Sequence, residues 1–292
     1  MTLTPRISIV TTNFNGAAFL EQAMLSVLNQ QYPNLEYIVI DGGSSDGSQE
    51  IIEKYASHLS FWVSERDEGF AHAYNKGFAH ATGDILAYLN SDDAYCPWAF
   101  DIVGRCFHDV PEMQWLTTLF PLTHSVQTSF VNTVPCQPFH RDLFYSGLYG
   151  RHHNFIQQES TFWRRELWQA TGGHLDETLS LAIDAELWTR FFERADLYAV
   201  ATPLAGFRLR PDSKSASQMP AYIEEFERTL SGSARRIGAQ TRLPPGLGRI
   251  GRRLINALPM PLLPKLWRYQ GKTVRWNYEE GHFFSQNMRI LF

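Results

Sequence analysis

Asp84-Ile85-Leu86-Ala87-Tyr88-Leu89-Asn90-Ser91-Asp92-Asp93 is the stretch that decides how the chain is read. Its apolar run suits a buried strand, and it stops at Asn-Ser-Asp-Asp, which cannot continue into a core. Adjacent carboxylates at a strand end repel each other unless a cation or hydrogen bonds offset the charge. A hard divalent ion that also holds a diphosphate would do so, taking one or two carboxylates and completing its shell with phosphate oxygens and water. The plainer alternative is a polar loop that caps a following helix.

Working upstream, strands and helices alternate. Arg6-Ile7-Ser8-Ile9-Val10-Thr11-Thr12 reads as a strand running into the turn Asn13-Phe14-Asn15-Gly16. Ala17, Leu20, Ala23, Met24, Val27 and Leu28 follow at helical spacing. Leu35-Glu36-Tyr37-Ile38-Val39-Ile40 is a second strand, closed by Asp41-Gly42-Gly43-Ser44-Ser45-Asp46-Gly47 and a helix over about 48–56. A short strand at Phe61-Trp62-Val63, a helix over 70–81 and the strand from Asp84 complete the series. Such alternation predicts parallel strands joined by right-handed crossovers, with helices on both faces. Ligands then bind outside the carboxyl ends of the strands, where this chain carries polar clusters at 11–15, 41–46, 65–69 and 90–93. The loop after Ile40 is neither GxGxxG nor GxxxxGK[ST], so the dinucleotide and P-loop fingerprints are absent. Asp41 ends its strand where it could bind a base or ribose, and Asp46 reads as a helix cap.

At 292 residues, with 44% hydrophobic and 19% charged residues, the composition is that of a globular protein. Cys96, Cys106 and Cys136 form no CxxC pair and are odd in number, which points to a reducing compartment. No signal pattern opens the chain, and no run approaches the ~18 apolar residues of a membrane span. The net charge of −4 hides an asymmetry: residues 229–278 hold ten basic and no acidic side chains, leaving −14 for the rest. In that region Leu247, Ile250, Leu254, Ile255 and Leu258 share one helical face beside Arg249, Arg252 and Arg253. Basic residues interleaved with Leu, Trp and Tyr are the composition of a helix lying on an anionic membrane surface. Nucleic acid is not expected, because the acidic remainder carries no nucleic-acid module.

Taken in order, these segments resemble family 2 glycosyltransferases. The likeness is carried by Ile7 to Asn15, Ser26-Val27-Leu28-Asn29-Gln30-Gln31-Tyr32, Glu36 to Gly47, Ser64-Glu65-Arg66-Asp67-Glu68-Gly69, Ala73-Tyr74-Asn75-Lys76-Gly77 and Gly83 to Asp93. It implies an α/β GT-A fold, a mostly parallel Rossmann-like sheet flanked by helices, here with a helical basic C-terminal extension. The catalytic domain is expected over 1–228, with a nucleotide-sugar half at 1–95 and an acceptor half at 96–228. Residues 229–292 form the amphipathic tail.

The resemblance also assigns roles. A nucleotide-sugar donor, with a UDP-sugar the first expectation, would lie on Thr12, Asn15, Asp41 and Asp67. The DxD metal motif falls on Asn90-Ser91-Asp92, so Asp92 and Asp93 are the candidate ligands for Mn²⁺ or Mg²⁺, with Asn90 a neutral neighbour. An inverting transferase needs a base for the acceptor hydroxyl. Thr178 to Arg190 resembles the segment that supplies it, with Asp184 on the base position, Ile183 replacing an acid, and Glu186 in reserve. As a plain helix N-terminus, the same segment would use Asp184 against the macrodipole and turn Leu187 and Phe191 to the core. Gln157-Gln158-Glu159-Ser160-Thr161-Phe162-Trp163-Arg164-Arg165 resembles the acceptor-side strand. Arg208, Arg210 or Lys214 could pair with phosphate oxygens. Trp163, Trp168 and Trp188 are read as sugar platforms or core, and His152 and His153 lack the companions of a zinc site. The implied acceptor is a glycan or lipid-linked saccharide, in polysaccharide or lipopolysaccharide biosynthesis; the protein is expected in the cytoplasm, held peripherally at the inner membrane face by its basic tail, and an oligomer is compatible. The alternatives are a sugar nucleotidyltransferase, which lacks its basic glycine-rich loop here, and a catalytically silent glycan- or nucleotide-binding scaffold.

Overall fold

The computed structural model describes residues 4–124, 130–133, 135–147, 149, 155–210, 218–237 and 269–291. Strand β1 (Ile7–Asn13) lies between two parallel partners, β2 (Leu35–Asp41) and β4 (Ile85–Asn90), and β3 (Phe61–Ser64) continues the sheet beyond β2. Helices α1 (Ala17–Leu28), α2 (Ser48–Tyr55) and α3 (Phe70–His80) make the crossovers. Alternating side chains of the strands serve two cores. Ile7, Ile9, Val39, Ala87 and Leu89 meet Leu20, Met24 and Val27 of α1, while Val10, Ile38, Ile40 and Tyr88 meet Tyr74 and Phe78 of α3. Helices therefore cover both faces, as the alternation predicts.

Register brings the polar ends together. Asn13 pairs with Asp41, Asp41 with Ser64, and Thr12 with Asn90, so four strands deliver their last residues to one edge.

Downstream come β5 (Ala94–Tyr95), α4 (Ala99–Asp109), β6 (Trp115–Thr118), β7 (Leu122–His124), β8 (Phe130–Thr133), α5 (Arg141–Tyr145), β9 (Phe162–Arg164) and α6 (Arg165–Ala170). After them stand α7 (Ile183–Arg194), β10 (Tyr198–Val200), β11 (Ala205–Arg208), α8 (Met219–Ile237), β12 (Gln270–Asn277) and β13 (His282–Arg289). β9 slots antiparallel between β4 and β6, giving the order β13-β12-β10-β6-β9-β4-β1-β2-β3, and β5-β11-β7-β8 forms a smaller sheet. Trp163, Trp168 and Trp188, at 0%, 5% and 2% exposure, belong to the core, which rules them out as sugar platforms.

The helical reading of 229–292 holds over 229–237, within α8, and is corrected over 270–289, where β12 and β13 form a hairpin on the main sheet. Its cations and aromatics meet partners inside the protein: Lys272 lies over Tyr198, and the Arg105 guanidinium sits 4.4 Å above the Trp276 ring. The amphipathic stretch 247–258, Lys214, His152 and His153 lie outside the described residues. Among the described residues, no helix is long and apolar enough to cross a membrane. All three cysteines are free thiols.

Candidate active site

The site begins with a loop tied to a buried acid. Asp41 is fully buried, and its Oδ1 accepts from Asn13 Nδ2 at 2.7 Å and Ser44 Oγ at 2.6 Å. Its Oδ2 accepts from the Ser44 amide at 2.9 Å and Ser64 Oγ at 2.6 Å. Burial pushes this carboxyl up, but the bonds from Ser44, Ser64 and Asn13 outweigh it and hold Asp41 below the usual carboxylate range. Asp41, expected against the ligand, has no exposed surface here and holds four internal donors, so it builds the loop. Asn15, in the left-handed region at φ 50°, accepts from the Ser45 amide while its own amide donates to Ser44 Oγ. Asp46 accepts from the Ala17 amide at 2.9 Å, at the start of α1, and from Ser48 at the start of α2. It steadies two helix starts from one residue before the actual cap, Gly47.

What faces outward is different. Asp67 is part-exposed, with Oδ1 accepting from the Gly69 amide. A Cβ at position 42 would stand 2.6 Å from Asp67 Oδ2 and 3.2 Å from the Phe14 ring, so only glycine lets the three meet. Phe14 is 67% exposed there. The sequence reading passed over Phe14, although an aromatic residue between two asparagines at a strand end is an unusual signal. Thr12 is half-buried at the end of β1, between Ile40 and Asn90.

Beyond β4, the acids do not act as a pair. Asn90 Oδ1 accepts from the Tyr74 hydroxyl at 3.0 Å, and its Nδ2 donates to Asp93 Oδ2 at 3.0 Å. An aspartate at 90 could not donate, and would add charge beside buried acids. That is a physical reason for the departure from DxD. Asp93 is fully buried; its Oδ1 accepts from the Arg208 amide at 2.8 Å. Burial, then the charges of Glu159 and Asp92, push its carboxyl well above the usual range. Glu159, in a 3-10 turn at Gln158–Ser160 and 4% exposed, hydrogen-bonds Asp93, which takes one shared proton, and burial raises it too. Glu159 had no assigned role in the sequence, and its neighbours Gln157-Gln158 and Ser160 gave no chemical signal for one.

Asp93 faces inward, its oxygens engaged by the Arg208 amide and Asn90 Nδ2, and Asp92 is the more exposed of the two carboxylates expected to serve a divalent ion. Asp92 keeps 28% of its side chain exposed, with Arg210 Nη1 3.3 Å from its Oδ2. It suits a hard cation that takes one protein carboxylate and fills its shell with phosphate oxygens. No cluster of three or more metal-binding side chains occurs among the described residues. Arg208 is 1% exposed; its Nε donates to the Asp92 carbonyl and its Nη2 to Gln22 Oε1, both at 2.6 Å. Arg208 and Arg210 both lie over the Phe19 ring, at 4.6 and 5.2 Å.

Asp184 stands in the first turn of α7, where its Oδ1 accepts from the Ala185 amide at 2.8 Å. Burial pushes its carboxyl up to about 6, against bonds from backbone amides and from Tyr222. Its charge is felt by Glu159, as is that of Asp92, which puts the three acids in one electrostatic neighbourhood. Leu187 and Phe191 do face the core, as the plain helical reading expects. Glu186 is turned away into an ion pair with Arg190.

A nine-stranded, mostly parallel sheet, with β9 inserted antiparallel, β13 antiparallel at its edge and polar strand ends, defines a GT-A type α/β protein. Residues 8–103 match the family model for Glycosyl transferase family 2. The chain is similar to an uncharacterized glycosyltransferase of Rickettsia typhi, RT0329, 24% identical over 240 residues that span 82% of this chain and 74% of the relative. Matches to further uncharacterized glycosyltransferases take in 33% to 37% of those relatives' length. Its fold is shared with Staphylococcus aureus TarS 1–349 in complex with UDP-GlcNAc, at TM-score 0.61 and 16% identity, over 86% of this chain and 70% of that one. It is shared too with the Pyrobaculum calidifontis mannosyltransferase PcManGT in complex with GDP-Man and Mn²⁺, at TM-score 0.51 and 19% identity, over 87% of this chain and 79% of that one.

Proposed function

We propose that the chain transfers a sugar from a nucleotide-diphosphate sugar, a UDP-sugar first among them, to a hydroxyl of a glycan or lipid-linked saccharide, inverting the anomeric centre. The observation that carries this reading is Asp184: a carboxyl raised to about 6 at a helix start, beside the acids of the strand-end cleft. A base tuned close to working pH accepts a proton efficiently and still ionises. The acceptor O–H proton goes to Asp184, the freed oxygen bonds to the anomeric carbon, and the bond from that carbon to phosphate breaks with its electron pair leaving on the nucleoside diphosphate. Thr12, Asn15 and Asp67 bind the nucleoside side, and the exposed Phe14 face suits a base. Arg210 meets the diphosphate, and Arg208 braces the Asp92 backbone from β11. A divalent cation on Asp92, when bound, supplies charge neutralisation for the leaving group.

The likeness to the TarS and PcManGT folds supports a nucleotide-sugar donor and a cation, and their two nucleotides differ, so the base is chosen by experiment. Thermal unfolding with UDP, GDP, CMP and dTDP, each with and without Mn²⁺ or Mg²⁺, reads binding to the folded state by mass action. One nucleotide should raise Tm in a cation-dependent way, and Asp92→Ala should abolish the cation's share. No shift with any of them, alone or as sugar conjugates, would overturn the transferase reading.

A further inference from the structure

Helix α8 reaches across to Asp184 from outside every segment that carries the family likeness. Glu225, 8% exposed, accepts three backbone amides in the bend that leads into α7: Ser180 at 3.1 Å on Oε1, Leu181 and Ala182 at 2.7 Å on Oε2. Those amides precede a helix whose cap, Ala182, has no side chain to satisfy them, so a carboxylate from another element supplies the negative charge that a helix start favours. One turn earlier on α8, the Tyr222 hydroxyl hydrogen-bonds the Asp184 carboxyl. Tyr222 stacks on Phe226, which is buried against Phe144, so the hydroxyl is presented by a packed ring.

We propose that Tyr222 and Glu225 are positioning residues for Asp184, with Glu225 fixing the backbone that carries it and Tyr222 fixing its carboxyl. This rests on the reading of Asp184 as the base. The α8 contacts hold the reacting carboxylate at one place and one rotamer, where a freely rotating side chain would spend most of its time misaligned. Other groups facing Asp184 are Tyr88 from β4, Glu159 from the 3-10 turn and the Ala185 amide of its own helix; Arg228 pairs with Glu225 at 3.6 Å on the solvent side. Among these, Tyr222 is the side-chain donor to the Asp184 carboxylate.

Tyr222→Phe keeps the ring and removes only the hydroxyl. The Asp184 carboxyl is followed by ¹³C NMR, its signal identified by its loss in Asp184→Asn. Its midpoint should rise by about one pH unit in Tyr222→Phe, the size of one hydrogen bond to a charged group. With the donor found by thermal shift, kcat should fall about tenfold at unchanged donor KM, because the nucleotide half is untouched. In Glu225→Gln, hydrogen exchange at the 180–182 amides should speed up at least tenfold, again with kcat lowered and KM kept. An unmoved Asp184 midpoint, unchanged exchange, or KM rising in step with the loss of kcat would overturn the inference. A wild type that turns over no donor would instead overturn the transferase reading, leaving the NMR midpoint and the exchange rates to judge the positioning.

Discussion

The two halves of the cleft both enclose carboxylates and treat their charge in opposite ways. In the first half Asp41 is surrounded by donors from three segments, and Glu36, at the opposite ends of the same strands, by Ser8, Arg6 and Thr82. Both stay below the usual range although burial pushes them up. In the second half Asp93, Glu159 and Asp184 face one another with fewer donors, and all three are raised. Burial sets the penalty, and the donor count decides whether the acid keeps its charge. Scaffolding uses the first solution. Proton transfer needs the second.

The sharpest attack on this contrast is Asp184→Asn, which should lower kcat by about 10²- to 10⁴-fold, the usual contribution of a positioned base. In the wild type kcat/KM should fall as pH drops through about 6, because the raised carboxyl takes up a proton there and can no longer accept one. A flat profile from pH 5 to 8 would remove Asp184 from the chemistry.

Next in size is Asp41→Ala, which strands Ser44, Ser64 and Asn13 in a buried place. Urea unfolding should report a loss of about 3 kcal/mol. Smaller still are Asp93→Asn and Glu159→Gln, each expected within about 1 kcal/mol of wild type near neutrality, since the pair shares a proton in the fold. The sign follows from the raised carboxyls: the folded pair holds its proton more tightly than the unfolded chain. Its contribution is therefore complete below the ordinary carboxylate range and is lost as pH rises. Glu159→Gln should flatten that decline, and a loss as large as that of Asp41→Ala would erase the distinction between the halves. Lys54→Ala, breaking an exposed pair with Glu21, should leave Tm unmoved.

Legibility in the sequence divides along the same line. β1 to β4 and their helices followed from period-2 and helical spacing within single segments, and only ends shifted, as where β1 runs on to Asn13. The Asp41 cage did not follow, because Ser64 and Asn13 reach it only once the sheet sets their register. Glu159, Tyr222 and Glu225 were invisible for the same reason: their partners lie far along the chain, and nothing local marks them. The hairpin at 270–289 was misread for another cause. Its cations and aromatics match a membrane-surface composition, and its one local mark is the turn Glu279-Glu280-Gly281, with Gly281 at φ 71°.

That hairpin also bears on how the chain is made. β12 docks in parallel on β10, the strand 198–200, and both hairpin strands lie in the last tenth of the sequence. Until the hairpin has formed, β10 therefore presents open backbone groups along the edge that β12 covers. A product cut short before residue 270 would keep most of the cleft yet expose a raw sheet margin, ready to recruit other strands. Aggregation, rather than lost chemistry at the centre, would then be the first consequence of losing the hairpin.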